Sequence, residues 1–343
     1  MPENSDSQKL LLATLRGNKS EQTPVWLMRQ AGRYLPEYRE LRSQKGGFLE
    51  LCYDADSAAE VTMQPIDRFD FDGAILFSDI LIVPHAMGQN LWFEAGEGPR
   101  LAPRMVEAAL SSLTAAPEHF EAIYATVRKV AARLDDKTTF MGFAGSPWTV
   151  STYMLHGQGS KDHAIARNYA YQDEVAFSEL IDAIIDNSVK YLLGQIEAGV
   201  EAVQLFDSWS GSLSPAQFEK WVIGPNATIV SRLKDVYPDV PVIGFPKGAG
   251  DKLAAYARET GADAIGLDET IDPVVAHKNL PADIPVQGNL DPLALLAGGD
   301  ALEKSTAHIL ETFSDRPHIF NLGHGIIKET PIEHVEKLLT LVR

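Results

Sequence analysis

The stretch VPVIGFPKGAGDKLAAYARETGADAIGLDE, residues 240–269, decides the fold. It opens on a continuous apolar run, 240–248, that breaks at Lys247-Gly248. A compact amphipathic segment, 250–261, follows and stops at Gly261. A second apolar run, 262–269, then ends in Asp268-Glu269. A run without polar alternation is how a strand covered on both faces reads. The stretch therefore predicts strand, helix, strand, with the helix as the crossover that parallel strands require.

The same reading extends outward to eight runs that end in Gly, Asp, Ser, Asn, His or similar residues. They are PVWLMRQ (24–30), GAILFSDI (73–80), TTFMGFAGS (138–146), EAVQLFDS (201–208), then 240–248 and 262–269, then IPVQGNLD (284–291) and HIFNLGHG (318–325). Helical spacing marks 178–199, which stops at Gly199, and 331–343, which closes the chain. Eight strands alternating with helices, the last four units closely spaced, predict an α/β fold: a single (β/α)8 TIM barrel over 1–343, with 1–20 as a partly flexible N-terminal extension. A doubly wound open sheet is the alternative. No G-x-G-x-x-G follows any run, so a dinucleotide fold has no positive support. The piece EAGEGPRLAPR (94–104) reads as a loop or short hairpin inside a long second connection.

Composition limits the partners. Of 343 residues, 45% are hydrophobic and 22% charged, as in an ordinary globular chain with room for a large core. The net charge of −17 argues against nucleic acid or an anionic membrane as partner, so an anionic ligand would need a local cationic site working against the global field. One cysteine, Cys52, excludes an intrachain disulfide and a multi-thiolate metal site. There is no signal-peptide pattern and no apolar run of about 18 residues, which predicts a cytoplasmic, soluble protein.

In such barrels the chemistry sits where strands end and loops begin. The eight mouths carry Arg29, Gln30 and Arg33; Ser78 and Asp79; Ser146, with Tyr153 shortly after; Asp207 and Ser208; Lys247; Asp268; Asn289; and His324. Arg29 and Arg33 are spaced to clamp carboxylates with two-pronged hydrogen bonds. They could equally pair with Asp79, Asp207 or Asp268 as a buried ion network. Asp79 could be a helix N-cap, but apolar Ile80–Val83 and then Pro84 follow it, so no helix is expected to start at once. His324 sits between glycines that permit close backbone approach. GFAGSPWT (142–149) could seat an anion at a helix N-terminus, or be a tight turn into that helix.

The segments WLMRQAGRYLPEYR, FSDILIVPHAMG, FEAGEGPRL, GFAGSPWTVSTYM, QLFDSWSG and FNLGHGI resemble, in order from about Pro24 to the C-terminus, those of the uroporphyrinogen decarboxylase family. The resemblance implies a single (β/α)8 barrel and a carboxy-lyase. Such an enzyme removes the four acetate carboxyls of uroporphyrinogen III, giving coproporphyrinogen III and CO2 in haem biosynthesis. It implies no cofactor, no metal and a homodimer. It places substrate contacts on Arg29, Gln30, Ala31, Gly32, Arg33, Asp79, Tyr153, Ser208 and His324, with Asp79, Arg29 and Tyr153 nearest the chemistry. One departure is Ser210, where the family pattern leads one to expect Ala.

Two other readings stand beside it. A cobalamin- or thiol-dependent methyltransferase shares the barrel, but would be expected to hold zinc with one histidine and two cysteines, and Cys52 stands alone. A non-catalytic tetrapyrrole carrier would not need Asp79 beside the arginine loop.

Overall fold

The computed structural model describes residues 9–94 and 96–343. Of the expected N-terminal extension, residues 1–8 lie outside the described residues, while Leu10–Leu15 is a short helix that buries Leu11, Leu12 and Leu15.

Nine strands are described. They are β1 Gly73–Ile75, β2 Asn90–Glu94, β3 Gly98–Ala102, β4 Thr139–Gly145, β5 Ala202–Asp207, β6 Val242–Pro246, β7 Ala264–Gly266, β8 Val286–Gln287 and β9 His318–Ile319. Seven of them form one parallel sheet in the order β1-β4-β5-β6-β7-β8-β9. Every residue of β4 and β6 is buried, the outcome expected of runs without alternation. The sheet is curled. The Gln287 side chain on β8 donates to that of Gln204 on β5 at 3.2 Å, across the two strands between them, and Trp26 Nε1 donates to Gln287 at 2.9 Å.

Seven of the eight expected runs hold the strands of this sheet, each strand shorter than its run. The reason is local. After Leu76, whose N–H still donates to the Met141 carbonyl at 3.0 Å, the chain leaves the ladder, and the Phe77 N–H turns to the Thr62 hydroxyl at 3.0 Å. After Gln287 the backbone enters the left-handed region at Gly288 (φ 131°), where a Cβ would meet the Leu267 carbonyl at 2.6 Å.

The first run, 24–30, departs from expectation. It is no regular strand. Val25 makes an isolated parallel bridge to Phe320, the Val25 carbonyl accepts from the Asp72 N–H at 3.0 Å, and the Asp72 carboxylate accepts from the Val25 N–H at 2.8 Å. A side chain thus does what a ladder bond would do, and the regular sheet has seven strands.

The piece 94–104 is indeed part of a hairpin, with β2 antiparallel to β3. Helix Glu174–Ala198 ends at Gly199, and Ile332–Val342 closes the chain, both as expected. The segment 250–261 is a 3-10 turn, Gly250–Lys252, continued by an α-helix, Leu253–Glu259. Among the described residues no helix is long and apolar enough to cross a membrane.

Candidate functional site

The apolar run 24–28 ends because its backbone turns at Arg29, which adopts a left-handed conformation (φ 62°) uncommon for a residue with a side chain. Gln30 holds the turn. Its backbone N–H donates to the Leu27 carbonyl at 2.9 Å, its side-chain oxygen accepts from the Leu27 N–H at 3.1 Å, and its side-chain amide donates to the Gly73 carbonyl at 2.9 Å. Gln30 is fully buried and does not line the cleft, so the structure places it beneath the loop. Its side chain is spent on the backbone of Leu27 and Gly73.

Above that turn lies a cleft of roughly 370 Å³, within the usual range for a small-molecule site. Arg29, Ala31, Gly32, Arg33, Asp79, Tyr153, Ser208 and His324 all line it. Eight of the nine residues singled out from sequence, drawn from mouths far apart in the chain, thus face one space. The strand ends at Ser146, Asp207, Lys247, Asp268 and Asn289 do not line it. Lys247 is paired with Glu269 at 3.0 Å, and Asp268 accepts from the Gly248 and Thr270 N–H groups at 2.7 and 2.8 Å.

Arg29 and Arg33 are exposed, and among the described residues neither guanidinium makes an ion pair or hydrogen bond. The buried ion network with Asp79, Asp207 or Asp268 does not form. Asp79 does take part in a turn. One of its oxygens accepts from the Leu81 N–H at 2.8 Å, ahead of a five-residue helix, Ile82–Ala86, that starts sooner than expected. Its second oxygen has no protein hydrogen bond among the described residues. Burial pushes the Asp79 carboxyl above its ordinary range, while the Leu81 N–H and the Arg29 charge pull it back.

His324 is held neutral. Burial, and then the Arg29 and Lys247 charges, push its pKa down to about 4, with Asp268 opposing. Its Nδ1 is buried with no partner. It therefore stands in the cleft as an uncharged imidazole rather than as a third cation. Burial, and then Asp79, raise the Tyr153 phenol to about 12, so it too is a neutral donor.

Sequence reasoning missed Arg42. It lines the cleft from helix Pro36–Lys45, its guanidinium 5.7 Å from the Phe48 ring centre and 3.3 Å from the Tyr38 hydroxyl. In sequence it is one cation among several on a polar helix, the pattern of a solvated face. Phe93 and Pro99 bring the β2-β3 hairpin to the same wall; both lie in the family-like segment FEAGEGPRL, but nothing in that segment placed them at the cleft. Among the described residues no three His, Cys, Asp or Glu side chains are grouped to hold a metal ion, and Cys52 is buried.

Comparison with known proteins places the chain in a family. Residues 6–343 match the family described as uroporphyrinogen decarboxylase (URO-D). The chain is 69% identical over 337 residues to a uroporphyrinogen decarboxylase of Sphingopyxis alaskensis, covering 98% of each. It is 66% identical over 333 residues to one of Novosphingobium aromaticivorans, covering 97% of this chain and 98% of that one. Among solved structures, a methyltransferase from Methanosarcina mazei superposes with a TM-score of 0.79 over 98% of this chain and 97% of its own. At 17% identity that likeness speaks to the fold alone. The arginine turn, the open Asp79 oxygen and the neutral histidine at one mouth therefore stand in a chain that belongs to the uroporphyrinogen decarboxylase family.

Proposed function

We propose that the cleft binds uroporphyrinogen III and removes its four acetate carboxyls as CO2, making the protein a carboxy-lyase of porphyrin biosynthesis. The observation that carries this reading is a pair of arginines that, among the described residues, have no carboxylate partner and line one cleft with an aspartate that has one oxygen unbonded. The substrate is a flexible macrocycle with eight carboxylates and four pyrrole N–H groups. Arg29 and Arg33 supply two-pronged donors for carboxylates. Asp79 supplies the acceptor for pyrrole N–H groups. Tyr153, Ser208 and His324 supply neutral hydrogen bonds around them.

Direct loss of CO2 from a pyrrole acetate would leave its electron pair on an unstabilised carbon. A proton added first to the neighbouring ring carbon makes the pyrrole cationic. The C–C bond pair released with CO2 then flows into the ring and leaves an exocyclic methylene. A proton added there makes the methyl, and loss of the ring proton restores the pyrrole, for a net uptake of one proton per CO2. The substrate is its own electron sink, and the protein contributes position and field. A negative charge on Asp79, against the inner nitrogens, stabilises the cationic ring. Arginine rarely gives up its proton, so we assign the first proton to water or to a substrate carboxyl in the cleft.

We further infer that the chain is one catalytic domain and that run 24–30 completes an eight-membered (β/α) ring. The bonds of Val25 to Phe320 and Asp72, at opposite edges of the sheet, support the ring. The family resemblance supports a cytoplasmic homodimer. Incubating the purified protein with uroporphyrinogen and following CO2 release and product carboxyl number tests the activity. A bound tetrapyrrole that keeps all eight carboxyls would make the protein a carrier and overturn the reading.

A further inference from the structure

Asp207 ends β5, is fully buried, and does not line the cleft. Its Oδ1 accepts from the Thr149 hydroxyl at 2.5 Å. The same hydroxyl oxygen accepts from the Trp209 backbone N–H at 3.2 Å. One buried hydroxyl on helix Pro147–His156 thus ties down the residues on both sides of Ser208. The Trp209 carbonyl is fixed in turn by Trp148 Nε1 at 3.1 Å and the Ser212 hydroxyl at 2.7 Å. The Trp209 ring lies 4.2 Å from that of Tyr153, centre to centre, at 33°. Tyr153 stands four residues beyond Thr149, one turn along the same helix face.

We propose that Asp207 and Thr149 are positioning residues for the decarboxylation site: the hydroxyl bridge between Asp207 and Trp209 fixes the direction of the Ser208 and Tyr153 hydroxyls that face the cleft. The proposal rests on the substrate reading of that cleft given above. A purely packing role accounts poorly for the cluster. Valine would fill the volume of Thr149, and a hydrocarbon at 207 would not leave Oδ2 buried without a partner, as Asp207 does. Hydrocarbon cannot fix the register of the loop against the helix.

The test compares Thr149→Val, Thr149→Ser and Asp207→Asn by thermal melting, by near-ultraviolet circular dichroism of the Trp209–Tyr153 pair, and by kcat and KM on uroporphyrinogen. Thr149→Val should lose about tenfold in kcat with a weakened aromatic band, as expected when reacting groups are misplaced without being removed. Thr149→Ser, which restores the hydroxyl, should return within about twofold of the parent. Assayed above pH 7, where Asp207 is ionised, Asp207→Asn keeps an acceptor for Thr149 but loses the charge, and should cost about threefold in kcat with its melting transition kept, so the proposal remains testable if Thr149→Val does not fold. Unchanged kcat and an unchanged aromatic band in Thr149→Val, failure of Thr149→Ser to recover, or parental kcat in Asp207→Asn would overturn the proposal. A parent protein inactive on uroporphyrinogen would instead sink the substrate reading, and the aromatic band would still report on the bridge.

Discussion

The side chain of Arg29 lies against Gly325: a Cβ at 325 would come within 2.8 Å of Arg29 Cγ and 2.9 Å of its Nε. The glycine after His324 thus makes room for the first arginine of the loop, joining the two ends of the chain at one site.

A methyl at 325 would push Arg29 aside without touching the core, because the displaced atoms belong to a flexible, exposed side chain. Gly325→Ala should therefore lower kcat/KM about tenfold while the melting temperature stays near the parent value. A lowered melting temperature with normal turnover of the folded fraction would make Gly325 a backbone requirement instead.

Asp79→Asn keeps an oxygen for the Leu81 N–H, so the turn survives, but the charge proposed to face the pyrrole nitrogens is gone. The expected fall in kcat is about 10²-fold or more, the scale of losing one preorganised electrostatic group. Unchanged turnover by a correctly folded variant would reduce Asp79 to a turn residue.

Arg29, Arg33 and Gln30 should separate cleanly. Neither arginine has an ion pair to lose among the described residues, so Arg29→Ala and Arg33→Ala should melt normally and lose about 2–5 kcal/mol of transition-state binding, as for a truncated charge pair. Arg33→Lys should also fail, because a point charge lacks the planar fork. Gln30→Ala strands the Leu27 N–H and the Gly73 carbonyl in the interior, and should cost about 1–3 kcal/mol of stability for each group left unpaired. The paired measurement is a melt and kcat/KM on the same samples. Arginine variants that melt early would return the loop to the scaffold.

The pH dependence of stability should reveal Asp207. Burial raises its pKa from 3.8 to about 7, so between those values the folded state holds a proton that the unfolded chain has released. The stability linked to this group is present at low pH and lost as pH rises through 7. His318 and His324 act in the opposite direction. Burial lowers each from 6.5 to about 4, and as pH falls from 6.5 towards 4 the unfolded chain takes up protons that the fold refuses. Asp207→Asn removes only the first effect. Its melting temperature relative to the parent should rise between pH 4 and 7, while the acid-side decline remains in both proteins. A difference that stays flat with pH would show that Asp207 does not titrate in this window.

Strand and helix order were legible because burial on both faces leaves a local mark, an apolar run with a polar stop. Arg29, Asp79 and His324 were legible as polar residues at those stops, and the family segments carried the rest. Arg42, Phe93 and Pro99 were not, because a helix and a hairpin that fold over the mouth look in sequence like any exposed helix and hairpin.

By itself the sequence determined the alternation of elements, the places of seven of the eight strands it predicted, and the family. Only the tertiary structure decided which polar residues face the cleft and which are spent elsewhere. Gln30 and Arg29 are neighbours in the same motif, yet one is buried in bonds to Leu27 and Gly73 and the other lines the cleft. His324 reads in sequence as a possible cation and is a neutral imidazole in the fold. The reason is physical: a run's periodicity reports how much of it is buried, whereas charge state and hydrogen-bond partners depend on desolvation and on groups brought from distant strands, and these exist only once the sheet has curled.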